Sequence, residues 1–199
     1  QYTYVYDALK RLISKTRVGI GDQPDYVTTY QYNAANDIVS ETVSGGDLST
    51  TATREYNHAG QLIKTVNHQG LETTYSYLNG VNTGSQRRGQ TMTITQPGGF
   101  TTIQETFCDG KASATTGTAQ VAQYFDYGVN TDGSTWSRTN HGGADSPRWV
   151  KGTIDCLGHM VLSQKSGFGA PVTETGVYNT KNQLIKTHKT GMAATLYEY

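Results

Sequence analysis

The chain has 199 residues, enough for a domain with a core, but only 35% of them are hydrophobic. Its 16 basic and 16 acidic residues give a net charge of zero. This balance argues against a nucleic-acid partner, because phosphate binding requires a basic stripe. No apolar run approaches the roughly 20 residues of a membrane-spanning helix, so we expect no membrane insertion. Thr is the commonest residue, and Tyr (14) and Gly (23) are frequent, which favours strands joined by glycine turns.

A short motif at the start of the chain recurs further along it. Residues 6–13 are Tyr-Asp-Ala-Leu-Lys-Arg-Leu-Ile, and ungapped copies begin at Tyr32, Tyr56 and Tyr178. A looser fifth copy begins at Ile154. We expect structural roles for the residues that define the repeat: Tyr6, Asp7, Leu12, Tyr32, Asn33, Ile38, Tyr56, Asn57, Gly60, Leu62, Tyr178, Asn179 and Leu184.

The motif predicts a β-hairpin with a three-residue loop. The side chain of the Asp or Asn after the aromatic residue can accept a hydrogen bond from the backbone N–H two residues later, which starts a turn. Three positions later, four of the five copies have Gly or Asn, which adopt positive φ readily, whereas the first copy has Lys10 under mild strain. Such a loop places Tyr6 opposite Leu12 and Tyr56 opposite Leu62.

A second turn and an alternating strand follow each hairpin. Turns are predicted at 44–47, 67–70 and 189–191. Tyr residues two apart, which share one face of a strand, occur at Tyr2/Tyr4, Tyr30/Tyr32, Tyr75/Tyr77 and Tyr197/Tyr199. These rings either pack between neighbouring hairpins or form a wall that stacks on sugar rings. For the second case the candidate ligand-facing aromatic residues are Tyr30, Tyr75, Trp136 and Trp149.

The middle of the chain has a degraded repeat but keeps β character. Hairpin turns are predicted at 96–99, 109–110 and 132–133, a strand pair at 121–129 and 134–139, and loops at 85–89 and 141–147. We therefore predict an all-β fold of tandem antiparallel β-hairpin repeats forming a curved sheet or shell segment. Residues 1–199 form a single segment, with regular repeats at 1–77 and about 149–199 and irregular, long-looped hairpins at 78–148, where recognition is expected.

Motifs for catalysis, metal binding or cofactor binding are absent from the sequence. The histidines have no ligand spacing and fall mostly in or beside turns, where we expect solvated side chains. There is no Gly-x-Ser-x-Gly elbow, so we expect no enzyme. Cys108 and Cys156 are either two free thiols or one disulfide. The chain starts at Gln1 without Met, and we expect it to be a segment of something longer.

The motif from Tyr6-Asp7 to Leu12-Ile13, with its copies, resembles the YD repeat of the Rhs family. That consensus is roughly Tyr-Asp-x-x-Gly-Arg-Leu, then a Gly turn, then Tyr-x-Tyr-Asp. The resemblance covers 1–77 and 172–199, with a looser match at 149–165. The family includes bacterial Rhs and wall-associated proteins, cocoon-forming subunits of Tc toxins, and teneurins. The Asp-Pro-x-Gly-type motif of the self-cleaving members is absent.

The resemblance implies a β-sheet strip that spirals into a hollow shell, which in toxin members holds a cargo polypeptide. We therefore expect a structural scaffold segment of a secreted or surface protein, located outside a bacterial cell or on its surface. The expected partners are further repeats or further copies, paired edge to edge, and an enclosed polypeptide or a surface glycan. The alternative is a glycan- or protein-binding adhesin module that uses exposed aromatic rows.

Overall fold

The computed structural model describes residues 1–80 and 88–199, which contain seventeen β-strands and no helix. The recorded strand pairs are antiparallel and join strands adjacent in the chain. The predicted all-β fold of tandem antiparallel hairpins is therefore confirmed. The described residues include no helix able to cross a membrane. Of the predicted loop 85–89, residues 85–87 lie outside the described residues, and 88–89 belong to a strand.

The first of two compact units comprises Gln1–Tyr77 and Met92–Thr101. Its successive strands form an antiparallel meander. The strands are β1 (Tyr2–Tyr6), β2 (Leu12–Arg17), β3 (Tyr26–Tyr32), β4 (Ile38–Gly45), β5 (Leu48–Tyr56), β6 (Leu62–Val66) and β7 (Glu72–Asn79). The unit also contains the predicted turn at 96–99, where the Gln96 N–H donates to the Phe100 carbonyl over 2.8 Å.

The second unit comprises Leu78–Thr91 and Thr102–Tyr199 and is also a meander. Strand β8 (Arg88–Thr95) is divided between the units, and so are the end of β7 and the first residue of β9. The remaining strands are β9 (Thr101–Phe107), β10 (Ala112–Thr116), β11 (Gln123–Val129), β12 (Thr135–His141), β13 (Trp149–Ile154), β14 (Met160–Lys165), β15 (Val172–Tyr178), β16 (Leu184–Lys189) and β17 (Thr195–Leu196). The predicted strand pair at 121–129 and 134–139 corresponds to β11 and β12. A single segment over 1–199 stays a prediction.

One turn geometry joins most hairpins of both units. In the first, the Asp7 N–H donates to the Arg11 carbonyl over 2.9 Å and the Lys10 N–H donates to the Asp7 carbonyl over 3.0 Å. The same two bonds recur in the turns that begin at Asn33, Asn57, Asn67, Gln96, Phe107, Asn130, Asp155 and Asn179. The fourth residue has positive φ, including 62° at Lys10, as the three-residue loop requires.

A β-bulge follows the turn of each regular repeat. Tyr6 lies opposite Leu12, as predicted, but Val5 lies opposite Ser14, so Ile13 has no partner in the register. Corresponding shifts follow the pairs Tyr32–Ile38, Tyr56–Leu62 and Tyr178–Leu184. The extra residue explains why two consecutive apolar residues follow the turn where strict alternation predicts one.

Apolar burial is sparse in both units. Among the described residues, the buried apolar side chains are Ala52 in the first unit and Ala114 in the second. Large apolar side chains such as Val129 (71% exposed) and Val150 (46% exposed) face outward. Backbone pairing and contacts between neighbouring strands therefore hold these sheets together, rather than a thick hydrophobic core.

Candidate functional site

The Asp or Asn that starts each regular turn binds the backbone of the loop ahead of it. Asp7 Oδ1 accepts from the Leu9 and Arg11 N–H groups, each over 2.9 Å. The same pair of bonds, to the second and fourth residues ahead, occurs at Asn33, Asn57, Asn67, Asp155 and Asn179. These side chains are thus engaged in shaping the hairpin tips.

In five of these six turns, all but that of Asn67, the second polar atom of the first residue contacts a complementary side chain four residues ahead. Asp7 Oδ2 accepts from Arg11 Nε over 2.7 Å. Where the first residue is Asn, its Nδ2 donates instead to an acceptor, as in Asn179–Gln183 at 2.9 Å. The Asp155 carboxylate lies 2.9 Å from His159 Nδ1. In these five turns a carboxylate therefore has a nitrogen partner, and an amide nitrogen has an oxygen partner.

Five tyrosines donate a hydrogen bond to the backbone of a preceding hairpin. The Tyr32 hydroxyl donates to the Leu12 carbonyl over 2.7 Å, and the Tyr77 hydroxyl donates to the Leu62 carbonyl over 2.9 Å. The same contact, with the carbonyl of the first residue of a β-strand, is made by Tyr56, Tyr178 and Tyr199. The sequence indicated the rings but not these hydroxyl bonds, because the acceptors lie 15 to 20 residues away.

The structure does not bring Tyr30 and Tyr75 together. Tyr30 lies on β3 and Tyr75 on β7, four strands apart and thus separated by about 19 Å. Both are half-buried. Burial, and then the negative charge of Glu41 directly opposite on β4, raise the pKa of the Tyr30 hydroxyl. Whether these two rings face a ligand stays a prediction.

Trp136 and Trp149, by contrast, lie on adjacent strands and on one face. Trp136 is on β12 with Arg138 two residues later, and Trp149 is on β13 with Lys151 two residues later. The Lys151 Nζ lies 4.3 Å from the centroid of the Trp136 ring, and the Arg138 guanidinium carbon lies 4.9 Å from that of Trp149. We call these four half-buried residues the tryptophan–cation cluster.

Sequence reasoning found the two tryptophans of this cluster but missed its two cations. The available signal was the alternation Trp-x-Arg in β12 and Trp-x-Lys in β13, which places each cation on the face of its tryptophan. The cross-strand pairing depends on register. Arg138 lies directly opposite Lys151, so each cation meets the tryptophan of the other strand diagonally.

The surroundings of the cluster are tightly packed on β11 and β12. Trp136 lies opposite Gly128, and a Cβ added to that glycine would come within 2.5 Å of the indole. The ring therefore occupies the space that a larger residue would fill. Asn140, only 1% exposed, donates through Nδ2 to Asp126 Oδ2 over 3.1 Å. Its Oδ1 and the Nε of Arg138 are buried without a hydrogen-bond partner.

A groove of about 1100 Å³ lies in the second unit. Its lining includes Phe107, Tyr127, Trp136, Arg138 and Ile154. The Phe107 and Tyr127 rings meet edge to face, with their centroids 6.2 Å apart. The groove thus combines aromatic surface with the guanidinium of the tryptophan–cation cluster, and it can accommodate a ligand of several rings.

The structure contradicts a disulfide between Cys108 and Cys156. Both cysteines are exposed, and no bond joins one to the other. They lie in the turns of the β9–β10 and β13–β14 hairpins, four strand spacings apart or about 19 Å, whereas bridged residues have Cα atoms within about 7 Å. Each hairpin occupies its own place in the strand order of the meander, and this keeps the two cysteines apart.

The histidines form no metal site in the described part of the chain, where no group of three or more His, Cys, Asp or Glu side chains is placed to hold a metal. His159 is not the solvated turn residue expected. Its ring stacks on Tyr178 with centroids 4.3 Å apart. The backbone N–H of His159 is the main cause that lowers the pKa of Asp155, since it donates to the carboxylate.

Comparison with known proteins yields a fold but not a family. No protein-family profile and no curated protein matches the chain. The crystal structure of TcdB2–TccC3–Cdc42 matches 94% of this chain with a TM-score of 0.55 and 12% identity. A Tc holotoxin pore from Photorhabdus luminescens matches 97% with a TM-score of 0.48 and 14% identity. The chain spans 12% of the length of either match. At this identity the first match shows that the chain has a fold that also occurs in a Tc toxin assembly.

Proposed function

We propose that this chain is a structural scaffold segment, part of the wall of a β-shell or filament that encloses or displays a partner. The observation that carries this proposal is the sparse apolar core of the two meanders. Their strands pair side by side, yet Val129, Val150 and other large apolar side chains remain exposed. Sheets of this kind are completed by further repeats, further copies or an enclosed chain.

The YD-like motif and the fold shared with a Tc toxin assembly support the same proposal. The repeats use their polar residues for the turn, and Tyr32, Tyr56 and Tyr178 bind the preceding hairpin, so these side chains serve assembly rather than chemistry. We propose accordingly that the segment is not an enzyme, that it curves with its neighbouring repeats, and that its parent protein is secreted or displayed on a bacterial surface.

Light scattering over a range of protein concentrations tests the scaffold proposal. The isolated chain should self-associate and bind a dye for apolar surfaces. The Val150→Lys variant should weaken this association, because it places a charge on an exposed sheet face. The control is Leu157→Lys, which makes the same charge change at a hairpin tip. A chain that stays monomeric at all concentrations and binds no dye contradicts the proposal.

The tryptophan–cation cluster favours a second function, recognition of a glycan by an adhesin module. Indole rings beside polar groups are typical of sugar-binding surfaces. A glycan array with the intact chain, repeated with Trp149→Ala and with Tyr30→Ala, separates the two aromatic regions. Binding that is lost only with Trp149→Ala assigns recognition to the second unit. Binding that survives both substitutions contradicts a role for these aromatic residues.

A further inference from the structure

We infer that the chain binds a second copy of itself through the loop between β14 and β15. In this contact the Phe168 ring of one copy enters the aromatic groove in the second unit of the other copy. The inference rests on the scaffold proposal, because it presupposes a segment that assembles. It adds the partner, which is another copy of this chain, and the two surfaces that meet.

Phe168 lies in the loop formed by residues 166–171 and is fully exposed (112%). Close backbone packing makes this loop compact. A Cβ added to Gly167 would clash with the Ala170 carbonyl oxygen, so only glycine permits this approach. Gly169 has φ of 91°, which also favours glycine. The phenyl ring is therefore presented to solvent by a compact loop, and a partner can bury it with little further ordering of the backbone.

The groove of the second unit offers an apolar site for this ring. Phe107 and Tyr127 meet edge to face in its lining, and a further aromatic ring can pack on this pair in the same manner. Val129, also in the lining, is 71% exposed, so its apolar surface is buried when the groove is filled. The volume of about 1100 Å³ exceeds the roughly 300–1,000 Å³ of pockets that enclose drug-sized ligands, so the ring and the small residues beside it fit.

The charges beside the two surfaces are complementary. Lys165, the last residue of β14, is exposed and forms no ion pair within the described residues. In the groove, Asp109 is paired with Lys111 at 3.1 Å, whereas Asp126 accepts an amide N–H and forms no ion pair in the described chain. Arg138, directly opposite Asp126, lies over a tryptophan ring instead. The loop therefore brings a cation to a groove that contains a carboxylate without an ionic partner.

The loop and the groove lie at opposite edges of the sheet in the second unit. Lys165 pairs with Val150 near the start of β13, whereas Ile154 of the groove lining ends that strand, about 13 Å further along. The full exposure of Phe168 also shows that its ring does not enter the groove of its own chain. The contact therefore joins different surfaces of two copies. Such a heterologous contact repeats from copy to copy and builds a ring or a filament.

Sedimentation velocity of the intact chain over a range of concentrations tests both surfaces. Phe168→Ser should weaken self-association roughly tenfold or more, because it removes the ring that the groove buries. The matched control is Phe100→Ser, which makes the same change at an exposed turn of the first unit and should leave association unchanged. Val129→Lys should weaken association from the groove side. Val121→Lys, at a comparably exposed valine outside the groove, should not.

A capped peptide of residues 165–171 tests the groove directly. The Phe168→Ser chain leaves its groove open to the peptide, and Trp136 in the lining reports binding through its emission. We expect a saturable change with the natural peptide and none with the Phe168→Ser peptide. Lys165→Gln in the peptide and Asp126→Asn in the chain should each weaken binding roughly threefold, and together by no more than either alone, because they remove one shared ion pair.

Far-UV circular dichroism verifies the fold of each variant, and Phe168→Ser with the peptide suffices if Val129→Lys does not fold. Self-association that is equal in the natural chain and in Phe168→Ser overturns the inference and leaves the scaffold proposal standing. Equal losses in Phe168→Ser and Phe100→Ser would show unspecific apolar association and overturn the assigned surfaces. An emission change that is absent, or equal for the two peptides, overturns the groove as the binding site. A chain that never self-associates contradicts both proposals.

Discussion

Tyrosine hydroxyl groups form hydrogen bonds between successive repeats. Tyr32 reaches the Leu12 carbonyl from the next hairpin, and Tyr77 reaches that of Leu62 in the same way. Tyr6 occupies the same position of the first repeat but is 58% exposed, and its hydroxyl makes no hydrogen bond to a described residue. A repeat tyrosine therefore stabilises the fold through its hydroxyl only where that hydroxyl reaches a backbone carbonyl of another hairpin.

Replacing Tyr32 by Phe removes one hydroxyl and keeps the ring. We expect the free energy of unfolding to fall by about 1 kcal/mol, the usual contribution of one such hydrogen bond. Urea denaturation followed by far-UV circular dichroism measures the change. Tyr6→Phe is the matched control and should shift the midpoint little. Equal losses in the two variants would show that the hydroxyl bond is not the cause.

The carboxylate of Asp155 makes the stability of its hairpin depend on pH. The His159 N–H, and then further bonds from His159 and Leu157, lower the pKa of Asp155 below 3.8 against the opposing effect of burial. Because the folded pKa lies below the unfolded one, the charged form stabilises the fold above about pH 4. That contribution is lost as the pH falls through the folded pKa.

The Asp155→Asn variant should reduce this acid sensitivity without disrupting the turn. Asn occupies the same turn position at Asn33, Asn57 and Asn179 and accepts the same two backbone bonds. Urea midpoints between neutral pH and about pH 2.5 should therefore fall less steeply for the variant than for the natural chain. The control is Asp22→Asn, which removes an exposed carboxylate that accepts no hydrogen bond from a described residue. Unchanged steepness in Asp155→Asn contradicts the assignment.

At the scale of the hairpin, the fourth residue of the turn determines how much backbone strain the element contains. Lys10 has φ of 62° and Gly60 has φ of 75° at equivalent positions. A side chain other than glycine in this region costs roughly 1–2 kcal/mol, although glycine loses more entropy on folding. The first hairpin is therefore strained where the third is not.

Substitutions at the fourth turn residue should change the free energy of unfolding in opposite directions in the first and third hairpins. We expect Lys10→Gly to raise the free energy of unfolding by about 0.5 kcal/mol, after the entropy of glycine is subtracted. Gly60→Ala should lower it by about 1 kcal/mol through backbone strain alone, since no atom lies within 4 Å of the added Cβ. Thermal and urea denaturation measure both, and shifts of the same sign contradict the account.

The hairpins could be predicted because their causes are local. Asp7 and the positive φ of Lys10 act within five residues, and the sequence shows both. The bulge at Ile13 was missed, although the Leu-Ile doublet indicates it once the register is known. The Arg138–Trp149 contact was missed for another reason. It depends on the register between β12 and β13, which an irregular loop joins. No local sequence pattern determines that register.

At the scale of the molecule, stability is expected to be a sum of neighbouring interactions. Within each unit the recorded pairings join strands adjacent in the chain, and buried apolar side chains are few in both units. Arrays of this type lack a central core that would couple distant parts, so a change in one region affects mainly its neighbours.

The two units should therefore unfold in separate transitions during denaturation. Tryptophan emission reports only the second unit, where Trp136 and Trp149 lie, whereas far-UV circular dichroism reports both. We expect the two probes to give different urea midpoints, because all-or-none unfolding requires coupling throughout the chain. Lys10→Gly, in the first unit, should shift the transition seen by circular dichroism and leave that seen by tryptophan unchanged.

Gly128→Ala supplies the reciprocal test in the second unit. Its Cβ would come within 2.5 Å of the Trp136 indole, so the ring must move and the local packing loosens at a cost of about 1–3 kcal/mol. The transition seen by tryptophan emission should then occur at a lower urea concentration. The transition of the first unit, seen by circular dichroism, should keep its midpoint. If either substitution shifts both probes equally, the chain unfolds as one cooperative body, and stability is not a sum over neighbouring hairpins.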